Sequence, residues 1–404
     1  MKFKNVLLAA LPVLMLTFAS CSDNNDEPQE EQITVLPYTV PATYDFSRNT
    51  TTSVAHDDQK TRILMLTEIN GYITSGKDNP LTSTKLAQMY ANTNAQFTTL
   101  SLVGIAPSIN LKDKTATSIG CFNGGNTEST AVQGNFQSTF DVAVAASQTG
   151  ATASAGVAGK NGTRLYGADG LEPGQVVAKG MMGAHFMDQV LNNFLNTVVL
   201  DAGDNRLNNA NKVLVAGKNY TEMEHAWDQA YGYIYGAGLN ASNKPYFWDS
   251  YIDQVSSQVT SFNVLKTNIK NAFIKGRAAI TGNDYAVRDQ QIAIIKENFS
   301  KIPAIRGVHY LQKGKADLAN GITAFHGLSE GYGFIMSLRY TNNPATNQPY
   351  FTKAEVDVML GKLSGGTVSQ PGLWDVDHIG AKIDEISNQI ATKFGFSVSD
   401  ASQG

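Results

Sequence analysis

The stretch from Tyr246 to Ile280, YFWDSYIDQVSSQVTSFNVLKTNIKNAFIKGRAAI, decides the fold class. Phe247, Tyr251, Val255, Val259, Phe262, Leu265, Ile269 and Phe273 recur in it at steps of three and four. An α-helix turns once in about 3.6 residues, so these side chains fall on one apolar stripe. The spacing predicts a single long amphipathic helix. Gly282-Asn283-Asp284 breaks it, and Asn283 or Asp284 is placed to cap the next helix, which carries Ile292, Ile295 and Phe299.

The same period extends in both directions. It begins near Asp58 with Ile63, Leu64, Leu66 and Ile69, and Asn79-Pro80 closes that first helix. Gln175 to Leu200 carries it through Val177, Met181, Met187, Val190, Leu191, Phe194 and Val198. Further helices fit Ala304 to Leu311, Leu318 to Tyr340, Lys353 to Leu363 and Asp377 to Phe394. Leu100 to Gly134 reads as irregular, with room for one short strand pair, and strand signals nearly vanish after residue 130. The expected architecture is all-α, a helical body over 46–404 with approximate halves 46–240 and 245–400. An extended arm punctuated by Pro37 and Pro41 leads into it.

The first twenty residues read as a targeting segment. Lys2 and Lys4 precede an apolar run, Val6 to Ala19, that is short for a membrane span. The run ends in Phe18-Ala19-Ser20-Cys21, which resembles the lipobox of bacterial lipoproteins, with Phe18 where Leu is usual. That resemblance implies removal of residues 1–20, lipidation of Cys21 and anchorage in the cell envelope. Residues 21–45 are then a lipidated cysteine, a tether and the arm. The acidic run Asp23, Asp26, Glu27, Glu30 and Glu31 reads as a solvated spacer, and it also resembles an export signal of outer-membrane lipoproteins, which implies surface exposure. With Cys21 lipidated, Cys121 has no intramolecular partner, and with no His or Arg beside it a reactive thiol is not expected.

Composition narrows the function classes. The chain has 404 residues and a net charge of −4; only 16% of its residues are charged, and 42% are hydrophobic. That excludes disorder, a disulfide scaffold and a multi-span membrane protein. No basic stripe exists to displace counterions, so nucleic acid is not the expected partner.

Two segments align without gaps 101 residues apart. His225-Ala226-Trp227-Asp228-Gln229-Ala230-Tyr231-Gly232-Tyr233-Ile234 lies on His326-Gly327-Leu328-Ser329-Glu330-Gly331-Tyr332-Gly333-Phe334-Ile335. His, Tyr, Gly and Ile are identical. Gly inside a helix costs about 1 kcal/mol relative to Ala, so its repetition at one offset implies close helix packing and suggests an internal duplication.

These segments, with Lys179-Gly180-Met181-Met182-Gly183-Ala184, resemble the imelysin family of bacterial envelope proteins. The nearer likeness is to a group of lipoproteins of unknown function distantly related to it. The resemblance implies a two-bundle helical fold and a His/carboxylate site of metal-binding or peptidase type. Imelysins carry His and Glu three apart; here His326 and Glu330 are four apart, and His225 meets Asp228 at three.

Those four residues are the candidate ligands. Positions i, i+3 and i+4 share a helix face, and imidazole with carboxylate suits iron or zinc. Tyr231 and Tyr332, six residues beyond each His, are candidates to line a common cleft. The competing reading is a buried His tied to a helix neighbour. Gly327-Leu328-Ser329-Glu330-Gly331 matches a nucleophile elbow, but that motif needs a strand feeding a sharp turn, and none is expected here. His185 and the three tryptophans read as core. The leading function is a lipid-anchored envelope binding protein without catalysis, handling iron, another metal or haem. The alternatives are a metallopeptidase-like enzyme built on His326 and Glu330, and a structural surface lipoprotein with no small ligand.

Overall fold

The computed structural model describes residues 33–403; Cys21 and the targeting segment lie outside them. Among the described residues the structure is mostly helical (63% helix, 5% strand, 15 α-helices), so the fold is all-α. Ile33–Gly404 makes one compact unit. No described helix is long and apolar enough to cross a membrane.

The centre of the body is an antiparallel pair, Leu265–Thr281 and Tyr285–Ala316, turned by Gly282-Asn283-Asp284. Asp284 caps the second helix by accepting from the Val287 amide at 3.0 Å. Phe325–Ser337 packs along Tyr285–Ala316, and Pro173–Met181 packs on Phe325–Ser337 from the other side. Val376–Phe394 and the short Val398–Gln403 cover the far flank of Tyr285–Ala316. Trp227, Trp248, Phe273, Phe299 and Phe325 are fully buried between these elements. The indole N–H of Trp227 donates to the Phe273 carbonyl and that of Trp248 to the Met182 carbonyl, so both are core residues with their polar end satisfied.

The long helix expected over 246–280 is two helices, Phe247–Gln258 and Leu265–Thr281, joined through a 3₁₀ turn at Thr260–Phe262. Val259 is extended (φ −125°, ψ 115°), a conformation that suits a β-branched residue, and Ser256 Oγ accepts from the Lys266 amide across the corner. Val255, Val259, Phe262 and Leu265 all remain buried, so the apolar stripe runs through the bend without registering it. The opposite happens at Pro303. Two helices were expected there, yet Tyr285–Ala316 runs unbroken for 32 residues. Ile302, Ala304 and Ile305 are fully buried beside Pro303, and packing on both flanks outweighs the roughly 3 kcal/mol that an interior proline costs.

Leu318 to Tyr340 also divides. Leu318–Ala324 is 3₁₀ with Gly321 at φ +61°, and the α-helix starts only at Phe325. A helix of 22 residues, Thr127–Gln148, begins inside the region expected to be irregular and runs beyond it, opened by an Asn126/Ser129 capping box. The strand pairs lie elsewhere than expected, at Ser47–Arg48 with Thr51–Thr52 and at Gly159–Asn161 with Arg164–Tyr166. The arm is extended as expected and bonds to the body: Leu36 donates its amide to Gly282 O, and Tyr38 its hydroxyl to Asp284.

Candidate functional site

Glycine builds the site. On Phe325–Ser337, a Cβ at Gly331 would come within 2.9 Å of Leu311, and one at Gly333 within 2.6 Å of the Lys179 Cβ. On the facing helix, a Cβ at Gly183 would lie 2.5 Å from the Ser337 Cα. These bare positions let three helices close on one another, and His326 and Glu330 come to lie in the seam.

Across that seam Glu172, the residue before Pro173, accepts from His326 Nδ1 at 2.7 Å. A carboxylate only accepts, so Nδ1 carries a hydrogen, which in the neutral ring leaves the lone pair on Nε2. Nε2 faces Glu330 Oε2 at 3.8 Å, while the other Glu330 oxygen pairs with Lys179 Nζ at 2.8 Å. Burial opposes ionisation of Glu330, but Lys179, with His326 and Arg306, outweighs it and holds the carboxyl below its ordinary range. Arg164 pairs with Glu172 at 3.1 Å, and the Glu172 amide donates to Ser329 Oγ at 2.8 Å. Arg306 lies over the rings of Tyr251 and Tyr310 on the inner side. Glu330 and Lys179 are buried, whereas 31% of the His326 side chain is open to solvent.

The first motif is arranged differently. Asp228 is fully buried and accepts from Tyr44 Oη at 2.7 Å, Arg277 Nε at 3.0 Å and the Ala55 amide at 3.2 Å. Burial pushes it up to about 6, against the pull of Arg277 and these donors. Arg277 also pairs with Glu224, which Arg48 holds from outside at 2.8 Å. The cluster therefore clamps the segment 44–55 onto Glu222–Tyr235 and Leu265–Thr281. His225 points away from it, stacked on Tyr220 at 4.4 Å between ring centroids. It lines a pocket of about 360 Å³ with Ala55, Asp58 and Gln59.

The structure thus brings His326 and Glu330 together and separates His225 from Asp228. The two histidines share no neighbour among the contacts described. Tyr231 stacks beneath Tyr44 at 3.6 Å, and Tyr332 packs beside Ser364, so the two tyrosines border different elements. Gly232 and Gly333 do play like roles, each admitting a close neighbour (His56 and Lys179), but the duplication itself is not established. Among the described residues no three His, Cys, Asp or Glu side chains converge to hold a metal. Ser329 Oγ donates to Phe325 O inside a helix, which leaves no nucleophile elbow. His185 is a buried core residue between Leu111 O and Tyr233 Oη, and burial pushes the Cys121 thiol up to about 12.

Residues 41–397 match the model of a family described as a domain of unknown function, DUF4856. The chain belongs to that family. No curated protein and no solved structure matches it. The DUF4856 match spans both motifs, the Glu172–Lys179 segment and the end of the arm. Glu172, Lys179 and Arg277 are the site residues that sequence reasoning passed over. Lys179 stood in a quoted segment beside Gly180, and a lysine among apolar helix positions was the available signal.

Proposed function

We propose that this chain is a lipid-anchored protein of the bacterial envelope that binds a small metal-bearing cargo at His326 without chemically transforming it. One observation carries the reading. His326 Nε2 and Glu330 Oε2 face each other across 3.8 Å, and in the neutral ring both are acceptors. Two acceptors so placed call for a positive charge, either a metal ion or a proton on the ring. The gap is a little under twice a metal–ligand bond of about 2.0–2.2 Å. Glu172 on Nδ1 fixes the ring as the partners of metal-ligating histidines do.

Only these two side chains converge, because the two carboxylates sit on opposite ring nitrogens. A zinc peptidase needs three protein ligands and an open position, so the donor set favours cargo whose own atoms complete the coordination. That fits iron, another divalent metal or haem, and keeps the imelysin resemblance as the guide to class. The second reading, a structural lipoprotein, rests on Lys179, which already neutralises one Glu330 oxygen. Its test is substitution: His326→Ala removes binding at little cost in stability if the site takes cargo. If the site is structural, the same change costs about 1–3 kcal/mol through orphaned buried partners, and metal gives no protection. The envelope address rests on Cys21 and the residues before it, and Cys21→Ser is expected to move the protein from membrane to soluble fractions.

A further inference from the structure

A second polar centre lies apart from both motifs. The helix Pro173–Met181 continues through two π-helical stretches, Met182–Met187 and Gln189–Phe194. Such turns are rare and concentrate at functional sites. Asp188 sits between the two stretches and Asn192 in the second, and both are buried. From Asp188 a chain of amides leads outward: Asn192 Nδ2 donates to Asp188 at 3.3 Å, and Asn342 Nδ2 to Asn192 Oδ1 at 2.9 Å. Asn342 Nδ2 also reaches Asn347 Oδ1 at 3.3 Å, which accepts from Lys296 Nζ at 2.7 Å. Asn342 Oδ1, buried in the middle of this chain, has no hydrogen-bond partner.

Lys296 ends the chain at a pocket of about 230 Å³, which Asn196, Thr197, Asp289 and Asn347 also line. The residue is only 6% exposed, yet among the described residues no carboxylate pairs with it. Asp289, the acid on that wall, is engaged by Arg288 Nε at 2.8 Å. An ammonium has three donors, and a single amide oxygen answers one of them. A buried cation without an anion is costly unless something else brings the charge. The remaining wall, from Leu195, Ile292 and Pro344, is apolar.

We propose that this pocket binds a small carboxylate, whose charge lies against Lys296 and whose short hydrocarbon tail lies against Leu195, Ile292 and Pro344. One lysine with no guanidinium favours a singly charged carboxylate over phosphate, and the volume suits a ligand of a few carbons. Burial pushes the Lys296 amine down to about 8, and the opposing pull of Cys121 and Asp289 does not offset it. The site is independent of His326, and its failure would leave that reading untouched.

The test is thermal melting of the full chain in detergent at constant ionic strength, with butyrate, its neutral isostere butyramide, and inorganic phosphate as probes. Butyrate is expected to raise the wild-type melting temperature in a saturable way, with butyramide and phosphate at least tenfold weaker. Lys296→Met and Lys296→Gln are both expected to fold and to lose the butyrate response, while His326→Ala keeps it. No response to butyrate overturns the proposal. So does an equal response in either Lys296 variant, or an equal or stronger one to butyramide or phosphate.

Discussion

Asp188 and Asp228 are both fully buried and are held in different ways. Asp228 has the Arg277 guanidinium at 3.0 Å, whereas Asp188 has only neutral donors, the Ser118 amide and hydroxyl and the Asn192 amide. Burial pushes Asp188 up to about 6. Between about pH 4 and 6 the unfolded chain has released this proton while the native protein still holds it. Asp188 therefore makes stability fall as pH rises through that window, by about 3 kcal/mol in all, and adds no slope above it. Melting temperature against pH is expected to show that fall in the wild type and a flatter profile in Asp188→Asn. At Asp228 the danger is loss of the partner. Arg277→Met leaves a buried carboxylate unpaired and is expected to cost about 3–5 kcal/mol in urea unfolding, with part recovered in Asp228→Asn/Arg277→Met.

At the scale of elements, glycine separates packing from propensity. A Cβ at Gly276 would lie 2.1 Å from the buried Trp227 ring, while one at Gly71, exposed on Asp57–Ser75, would meet nothing within 4 Å. Gly276→Ala is expected to destabilise by about 1–3 kcal/mol and Gly71→Ala to stabilise by up to about 1 kcal/mol, both read from urea midpoints. The helices were legible wherever a strongly apolar stripe marked them, as on Val376–Phe394. Their interruptions were not. The bend at Val259 keeps its stripe buried, and Pro303 sits where flanking packing overrides its local cost. Thr127–Gln148 was missed because Val132, Phe136 and Phe140 are diluted among Ser, Thr, Gln and Gly. His326 with Glu330 could be read because a helix sets their spacing. Glu172 and Arg277 could not, because 154 positions separate His326 from Glu172 and 49 separate Asp228 from Arg277. No local pattern encodes a pairing across that distance.

On the scale of the whole molecule, the arm is bonded to the body. Tyr44 and Ser53 reach the Asp228–Arg277 cluster, and Tyr38 reaches Asp284, so the segment 38–53 is bonded into the core of Ile33–Gly404. Removal of residues 33–46 is expected to expose that cluster and lower the melting temperature markedly. Proteolysis confined to residues before 33 is expected to leave it unchanged. The central claim is that His326 receives a metal-bearing cargo. Its most direct measurement is titration of the purified full chain with ferrous iron, zinc and haemin, followed by calorimetry and absorbance beside His326→Ala. The account predicts saturable binding of at least one of these by the wild type and its loss in the variant, with both proteins folded. Binding of none of them, or equal binding by the variant, would contradict it.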